Sequence, residues 1–190
     1  MESKKDIRKY VLEKREHLTA KEWEEKSRSI YEKVVSHPFF LNADTVYCYI
    51  DYRKEVGTRE IIKKAWEDKK KVAVPKVEGD KMSFYFIQEF ADLKEGYRGI
   101  PEPEPIFPAK DENASEQTSS VLVCVPGAAF DKHCNRIGYG KGYYDKFLSL
   151  HKHYHTMALC FACQMIELIP AESYDIRPEI VITEENHYVR

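Results

Sequence analysis

VLVCVPG, residues 121–127, is a run of apolar residues with no polar position in it until Pro126-Gly127 stops it. A strand with one wetted face alternates apolar and polar residues, and a strand covered on both faces does not. The run therefore predicts the centre of a parallel sheet. Working outward, TVYCYI (45–50), KVAVPK (71–76), TMALCFA (156–162) and EIVIT (179–183) read as further strands. MSFYFI (82–87) alternates and predicts an edge strand. Between them, Thr58 caps a helix with Ile61, Ile62, Ala65 and Trp66 inward, and a helix runs from about Lys141 to Leu150. Strands separated by helices predict a single-domain α/β fold, 1–190, with a largely parallel open sheet flanked by helices.

The N-terminal part is helical. Ser3 and Asp6 make a capping-box-like start, and Ile7, Val11 and Leu18 give one apolar stripe. Lys4 and Arg8 lie one turn apart on another face. Thr19 and Glu22 form a second capping box, and His37-Pro38 ends that helix. Pro101, Pro103, Pro105 and Pro108, followed by KDENASEQTSS (110–120), predict a long loop rather than a linker.

The bulk numbers set limits. The chain has 30 basic and 32 acidic residues, a formal net charge of −2, so no global positive field points to nucleic acid or a membrane surface. No apolar run is long enough to span a bilayer, and the start MESKKDIRKY has no apolar core of a secretory signal. Five cysteines without such a signal suit a reducing, cytoplasmic setting. Cys160 and Cys163 form a lone C-x-x-C inside an apolar run and read as buried structural thiols. His151, His153 and His155 alternate without acidic companions and read as a polar connection.

The chemistry concentrates in residues 128–150, AAFDKHCNRIGYGKGYYDKFLSL. Gly138, Gly140 and Gly142 alternate with Tyr139 and Lys141, after Arg136 and before Tyr143, Tyr144 and Asp145. Glycines at a helix N-terminus let backbone N–H groups approach an anion, and the helix dipole adds positive potential. Arg136 and Lys141 add whole charges, so the segment predicts phosphate binding. It is not a Walker A loop, because Asn135 stands where the first glycine belongs and Gly142 where Ser or Thr belongs. It is not a dinucleotide fingerprint, because Tyr143 replaces the third glycine.

VPGAAFDKHCNRIGYGKGYYDKFL (125–148) resembles the signature of the 5-formyltetrahydrofolate cyclo-ligase family, also called methenyltetrahydrofolate synthetases. KKDIR (4–8), YIDYRKEVGTREII (49–62) and YDIRPEIVITE (174–184) resemble three other family stretches in order and spacing. The resemblance implies a NagB/RpiA/CoA transferase-like architecture, and an ATP- and Mg²⁺-dependent conversion of 5-formyltetrahydrofolate to 5,10-methenyltetrahydrofolate. It implies that Lys4, Lys5 and Arg8 contact ATP and that Arg136 and residues 138–144 hold the triphosphate. Lys141 and Arg136 are the catalytic cations it implies. Residues 139–143 would also line the folate side, where Glu55 contacts the pterin and Ile50 packs nearby. Asp145 and Asp175 are the metal contacts it implies, and some family members carry Arg where this chain has Tyr139. The expected partners are the two substrates alone, on a monomer or weak homodimer. A folate- or nucleotide-binding regulatory protein of the same fold is the alternative. Since the phosphate loop should line the surface, replacing Lys141 or Asp145 should leave the fold intact.

Overall fold

Whether a strand is covered on one face or two is visible in which neighbours its alternate residues find. In the computed structural model, which describes residues 3–96, 99–109, 120–172 and 175–190, β6 (Val121–Val125) sends Leu122 and Cys124 into one apolar cluster. Val123 and Val125 go into a second cluster on the opposite face. The first cluster is closed by α2 (Ala20–Ser36) and α4 (Arg59–Glu67), through Ile30, Val34, Ile61 and Ile62. The second is closed by α5 (Tyr143–Leu150), through Leu148, Tyr144 and Phe147. This two-sided burial is why residues 121–125 carry no polar position.

β6 is the fourth strand of a seven-stranded sheet in the order β11-β10-β9-β6-β1-β2-β3. Here β1 is Thr45–Tyr47, β2 Lys71–Glu78, β3 Lys81–Ile87, β9 His155–Leu159, β10 Ile180–Ile182 and β11 His187–Val189. The five inner strands pair in parallel. Both edges, β3 and β11, are antiparallel. The α/β class, the mostly parallel sheet, the central place of residues 121–125 and the edge place of residues 82–87 are as the sequence predicts.

The order of the strands fixes where a ligand fits. From β1 the chain crosses to β2 on one side, and from β6 it crosses to β9 on the other. The connections reverse between the adjacent strands β1 and β6, so the loops leaving their carboxyl ends part and open a crevice.

Several elements depart from expectation. The predicted strand 45–50 ends at Tyr47, although Cys48 N still donates to Ala73 O at 2.9 Å. The Pro-rich stretch holds a small hairpin, β4 (Leu93–Glu95) with β5 (Pro101–Pro103). A second hairpin, β7 (Ala129–Phe130) with β8 (Arg136–Ile137), interrupts the path from β6 to α5. Thr58 stands at the start of α4 without a capping bond. Its hydroxyl lies 2.8 Å from the Tyr49 carbonyl, so it fastens the loop instead. The polar run 110–120 lies, apart from Ser120, outside the described residues. Among the described residues no helix is long and apolar enough to cross a membrane.

α1 (Lys4–Glu16) packs Ile7 and Val11 against Ala129, Ile137 and Ile169. It starts at Ser3, whose hydroxyl accepts from Asp6 N at 3.2 Å. The box at Thr19 forms in full, with Thr19 N donating to Glu22 Oε2 at 2.8 Å. The caps predicted at Ser3 and Thr19 thus stand, whereas the one predicted at Thr58 does not form.

Candidate active site

Two loops meet at the crevice. The first, residues 51–58, follows β1 and is tied on several sides. Thr58 N donates to Asp51 Oδ1 at 3.0 Å, which closes the loop on itself. Trp23 Nε1 from α2 donates to the Glu55 carbonyl at 2.6 Å, and Gly57 N donates to Ser27 Oγ at 3.1 Å. A Cβ on Gly57 would stand 3.2 Å from the Trp23 ring, so glycine lets the loop lie against α2. Lys54 Nζ donates to the Leu18 carbonyl at 2.6 Å, just beyond the α1 C-terminus, where a cation is favoured. The loop is therefore a rigid mount for the Glu55 carboxylate.

The second loop, residues 138–142, lies between β8 and α5. Gly142 is the N-cap of α5 at φ 65°, and Gly140 has φ 98°, values that an L side chain adopts only with strain. No side chain caps α5. Its first-turn N–H groups have no intrahelical partner, so an anion can receive them. Arg8 Nε donates to Gly138 O at 2.8 Å, which brings α1 onto the loop. Lys141 is exposed and has no side-chain partner among the described residues, so its charge is available.

Arg136 is the anchor under this loop. Its side chain is 4% exposed, and Nη2 meets Asp145 Oδ1 at 2.8 Å. Nη1 donates to Pro126 O at 3.2 Å, and Nε is buried without a partner among the described residues. A Cβ on Gly127 would come within 2.5 Å of the Phe130 ring and 3.1 Å of Arg136 Cγ. Glycine at the end of β6 therefore lets Arg136 pass beneath the backbone. Asp145 Oδ1 also accepts from Ile176 N at 3.1 Å, which draws the C-terminal segment onto α5. The Asp145 carboxylate neutralises a buried guanidinium, which argues against the expectation that it can be replaced without cost to the fold.

The two loops join through Tyr139. The residue is 46% exposed, but its hydroxyl turns inward to Glu55 and Arg15. The hydroxyl donates to Glu55 Oε1, accepts from Arg15 Nη1 at 2.8 Å, and lies 3.4 Å from Gly127 O. Glu55 Oε2 accepts from Tyr52 N at 3.0 Å. Burial pushes the Glu55 carboxyl above its ordinary range, while Tyr139 and the Arg15 charge pull the other way. Burial and the Glu55 carboxylate together hold the Tyr139 phenol above its own range.

The remaining predicted residues fall into place unevenly. Lys4 Nζ meets Asp175 Oδ2 at 2.6 Å and Glu172 at 3.3 Å. Burial opposes its charge, but these carboxylates outweigh it and raise its pKa. The Tyr143 hydroxyl donates to Gly79 O at 3.2 Å, reaching the β2–β3 turn. Tyr144 faces the core, and its hydroxyl is buried with no hydrogen-bond partner among the described residues. Lys5 is exposed and apart from the loops, and Ile50 is buried in the first core cluster. Sequence reasoning missed Arg15. The signal was there: 7, 11 and 15 follow one another at intervals of four on one face of α1, and a buried face normally carries no arginine. Cys160 is buried and Cys163 partly so, burial raises both thiols above their ordinary range, and no cluster of metal-ligating groups occurs among the described residues.

A glycine-rich loop at a helix N-terminus, set where strand order reverses, is the arrangement of ligand-binding open α/β proteins. The family profile described as the 5-formyltetrahydrofolate cyclo-ligase family matches residues 1–184, and the chain belongs to that family. A probable 5-formyltetrahydrofolate cyclo-ligase of Caenorhabditis elegans is 28% identical, with 96% of this chain and 93% of the relative covered. The Schizosaccharomyces pombe relative of the same description is 30% identical, with 84% of each covered. Among solved structures, the 5,10-methenyltetrahydrofolate synthetase of Aquifex aeolicus superposes with a TM-score of 0.79 at 30% identity, covering 98% of this chain and 92% of its own. The synthetase from Mycoplasma pneumoniae, at 21% identity and TM-score 0.72, covering 96% and 99%, shares the fold. The chain is thus an enzyme of the cyclo-ligase class.

Proposed function

We propose that the protein uses ATP and Mg²⁺ to convert 5-formyltetrahydrofolate into 5,10-methenyltetrahydrofolate, releasing ADP and phosphate. The observation that carries this is the meeting of an anion-receiving loop, 138–142, with a carboxylate-bearing loop, 51–58, at the reversal point between β1 and β6. One side suits a triphosphate and the other the adjacent N–H donors of a pterin.

The chemical obstacle is the formamide, whose oxygen leaves poorly and whose carbon is a weak electrophile. In the proposed reaction the formyl oxygen takes the γ-phosphoryl group and ADP departs. N10 then bonds to the activated carbon, the carbon–oxygen bond breaks, and phosphate leaves together with the N10 proton. Phosphoryl transfer depends mostly on positioning and on neutralising charge. Lys141, exposed and without a side-chain partner among the described residues, supplies charge to the transferred group. The N–H groups at the start of α5 receive phosphate oxygens. Arg8, braced on Gly138 O, adds charge from α1. Arg136 contributes from below, through the Asp145 pair and the loop it supports. Lys4 and Lys5 extend the basic side and Tyr143 flanks it, while Tyr144 supports the start of α5 from the core. Glu55 accepts from the pterin, on a floor to which Ile50 contributes.

Asp145 and Asp175 fit a magnesium site in donor chemistry. Mg²⁺ takes one or two carboxylates and completes its shell with phosphate oxygens and water. Each carboxylate bonds described residues through one oxygen, Oδ1 of Asp145 and Oδ2 of Asp175, and keeps the other. The bond from Ile176 N to Asp145 brings the two segments together. When bound there, the ion would offset charge on the ATP phosphates. The test is to follow methenyltetrahydrofolate absorbance with both substrates and metal. An ATP-dependent rise supports the reading, and folate binding without turnover supports the regulatory alternative. The proposed setting is cytoplasmic.

A further inference from the structure

Arg15 occupies a place where α1 needs an apolar side chain. Ile7 and Val11 precede it at intervals of four, and all three are buried. At 3% exposure, Arg15 keeps a charge that cannot be shed out of water. A leucine or methionine would fill that position without the cost of desolvating a guanidinium. The charge is aimed at the site rather than at solvent. Nη1 reaches the Tyr139 hydroxyl at 2.8 Å, the guanidinium carbon lies 5.9 Å from the Tyr139 ring centre, and Nε is buried without a partner among the described residues. Beyond the hydroxyl stands Glu55.

We propose that Arg15 is a positioning residue of the folate side, seating the Tyr139 hydroxyl between α1 and Glu55 and so fixing both the carboxylate and the glycine loop that carries Tyr139. A tyrosine hydroxyl has one proton. When Arg15 donates to its oxygen, that proton is directed to Glu55, and the carboxylate is held as an acceptor. The link is also electrostatic. Glu55 faces Arg15 from α1, Tyr139 from the glycine loop, Tyr49 after β1, Tyr144 from α5 and Asp51 from its own loop. Arg15 is the only cation in that set. Burial raises the Glu55 pKa, and Arg15 opposes the rise, so the carboxylate stays charged to lower pH than it would otherwise. Because Tyr139 belongs to the phosphate loop, the same relay couples the seating of the pterin to the shape of that loop.

This inference rests on the reading of Glu55 as the pterin contact, and the test separates the two. Arg15→Met keeps the stem and removes the charge, Tyr139→Phe breaks the relay from its exposed end, and Glu55→Gln is the control. Steady-state kinetics are measured for 5-formyltetrahydrofolate and for ATP across pH, with thermal melting alongside. Arg15→Met should raise the folate KM about tenfold, raise the ATP KM by less because Arg8 still holds the loop at Gly138 O, and move the acid limb of kcat/KM for folate to higher pH. Tyr139→Phe should do the same, and the double variant should be little worse than either single one, because both act on one relay. Should Arg15→Met fail to fold, the folate KM and acid limb of Tyr139→Phe decide the matter. An unchanged folate KM and acid limb in either folded single variant, beside a raised KM in Glu55→Gln, overturns the role of Arg15 alone. An unchanged folate KM in Glu55→Gln overturns the pterin reading, and the inference with it.

Discussion

Removing the Asp145 carboxylate should unsettle the protein as well as its metal dependence, and the two effects can be read separately. In Asp145→Ala the Arg136 guanidinium, 4% exposed, keeps only the Pro126 carbonyl at 3.2 Å, with Nε already unpartnered. Breaking a buried ion pair from one side costs about 3–5 kcal/mol. Asp145 is 24% exposed, so water reaches the pair, and a discounted loss of about 2–3 kcal/mol is expected. For a chain of this length that is a fall of roughly 4–12 °C in Tm. Asp145→Asn keeps an oxygen for Ile176 N and Arg136 and should lose about 1 kcal/mol. Arg136→Met with Asp145→Ala removes both charges and should recover part of the loss. Urea unfolding of the parent, both Asp145 variants, Arg136→Met alone and the double variant gives the cycle. Asp145→Ala melting with the parent, or a double variant no better than the sum of its singles, would refute the pairing argument. Turnover against Mg²⁺ is measured on the same samples. Asp145→Asn should need more metal, and an unchanged requirement removes Asp145 from the metal site.

Lys141→Ala should lower kcat by on the order of 10²-fold, gain nothing from added Mg²⁺ and melt within about 0.5 kcal/mol of the parent, because the side chain is exposed and unpartnered; rescue by metal would contradict its assignment to the phosphoryl group. Glu55→Gln should weaken folate binding by about 1–3 kcal/mol, leave ATP binding alone and melt no lower than the parent. The sign follows from the raised pKa: the folded environment disfavours the charged form, so the stabilising share of Glu55 is present below its unfolded pKa and is lost as pH rises through the folded one. A parent that gains stability over Glu55→Gln as pH rises through that window would reverse the argument. Gly142→Ala meets no atom within 4 Å but forces a side chain to φ 65°, so it should cost about 1 kcal/mol; a variant as stable as the parent, in urea unfolding, would show that the loop does not hold this backbone.

What could be read in the chain depended on whether a signal was local. Residues 121–125 show their two-sided burial in their own composition, and the Thr19–Glu22 box closes within one turn. The glycine loop announces its backbone, because φ values of 98° and 65° at Gly140 and Gly142 need glycine. Edge strand β11 and the β7–β8 hairpin were not legible, since strands of three and two residues are too short to show an alternation of their own. Tyr47 ends its strand sooner than the apolar run TVYCYI suggests, because the chain leaves the sheet to build the mount for Glu55. Asp145 and Arg136 were expected as site residues and not as a buried pair, because nine residues of sequence do not reveal a shared interior. Arg15 was lost because a charge in a helix is read as facing water, and only the fold shows Tyr139 and Glu55 at its tip.

The most direct test of the account is product formation by the purified protein with 5-formyltetrahydrofolate, ATP and Mg²⁺. The account predicts a rise in methenyltetrahydrofolate absorbance that requires ATP and metal, with one ADP and one phosphate released per folate converted. Thermal stabilisation by folate and ATP with no methenyltetrahydrofolate formed and no ADP released would contradict it.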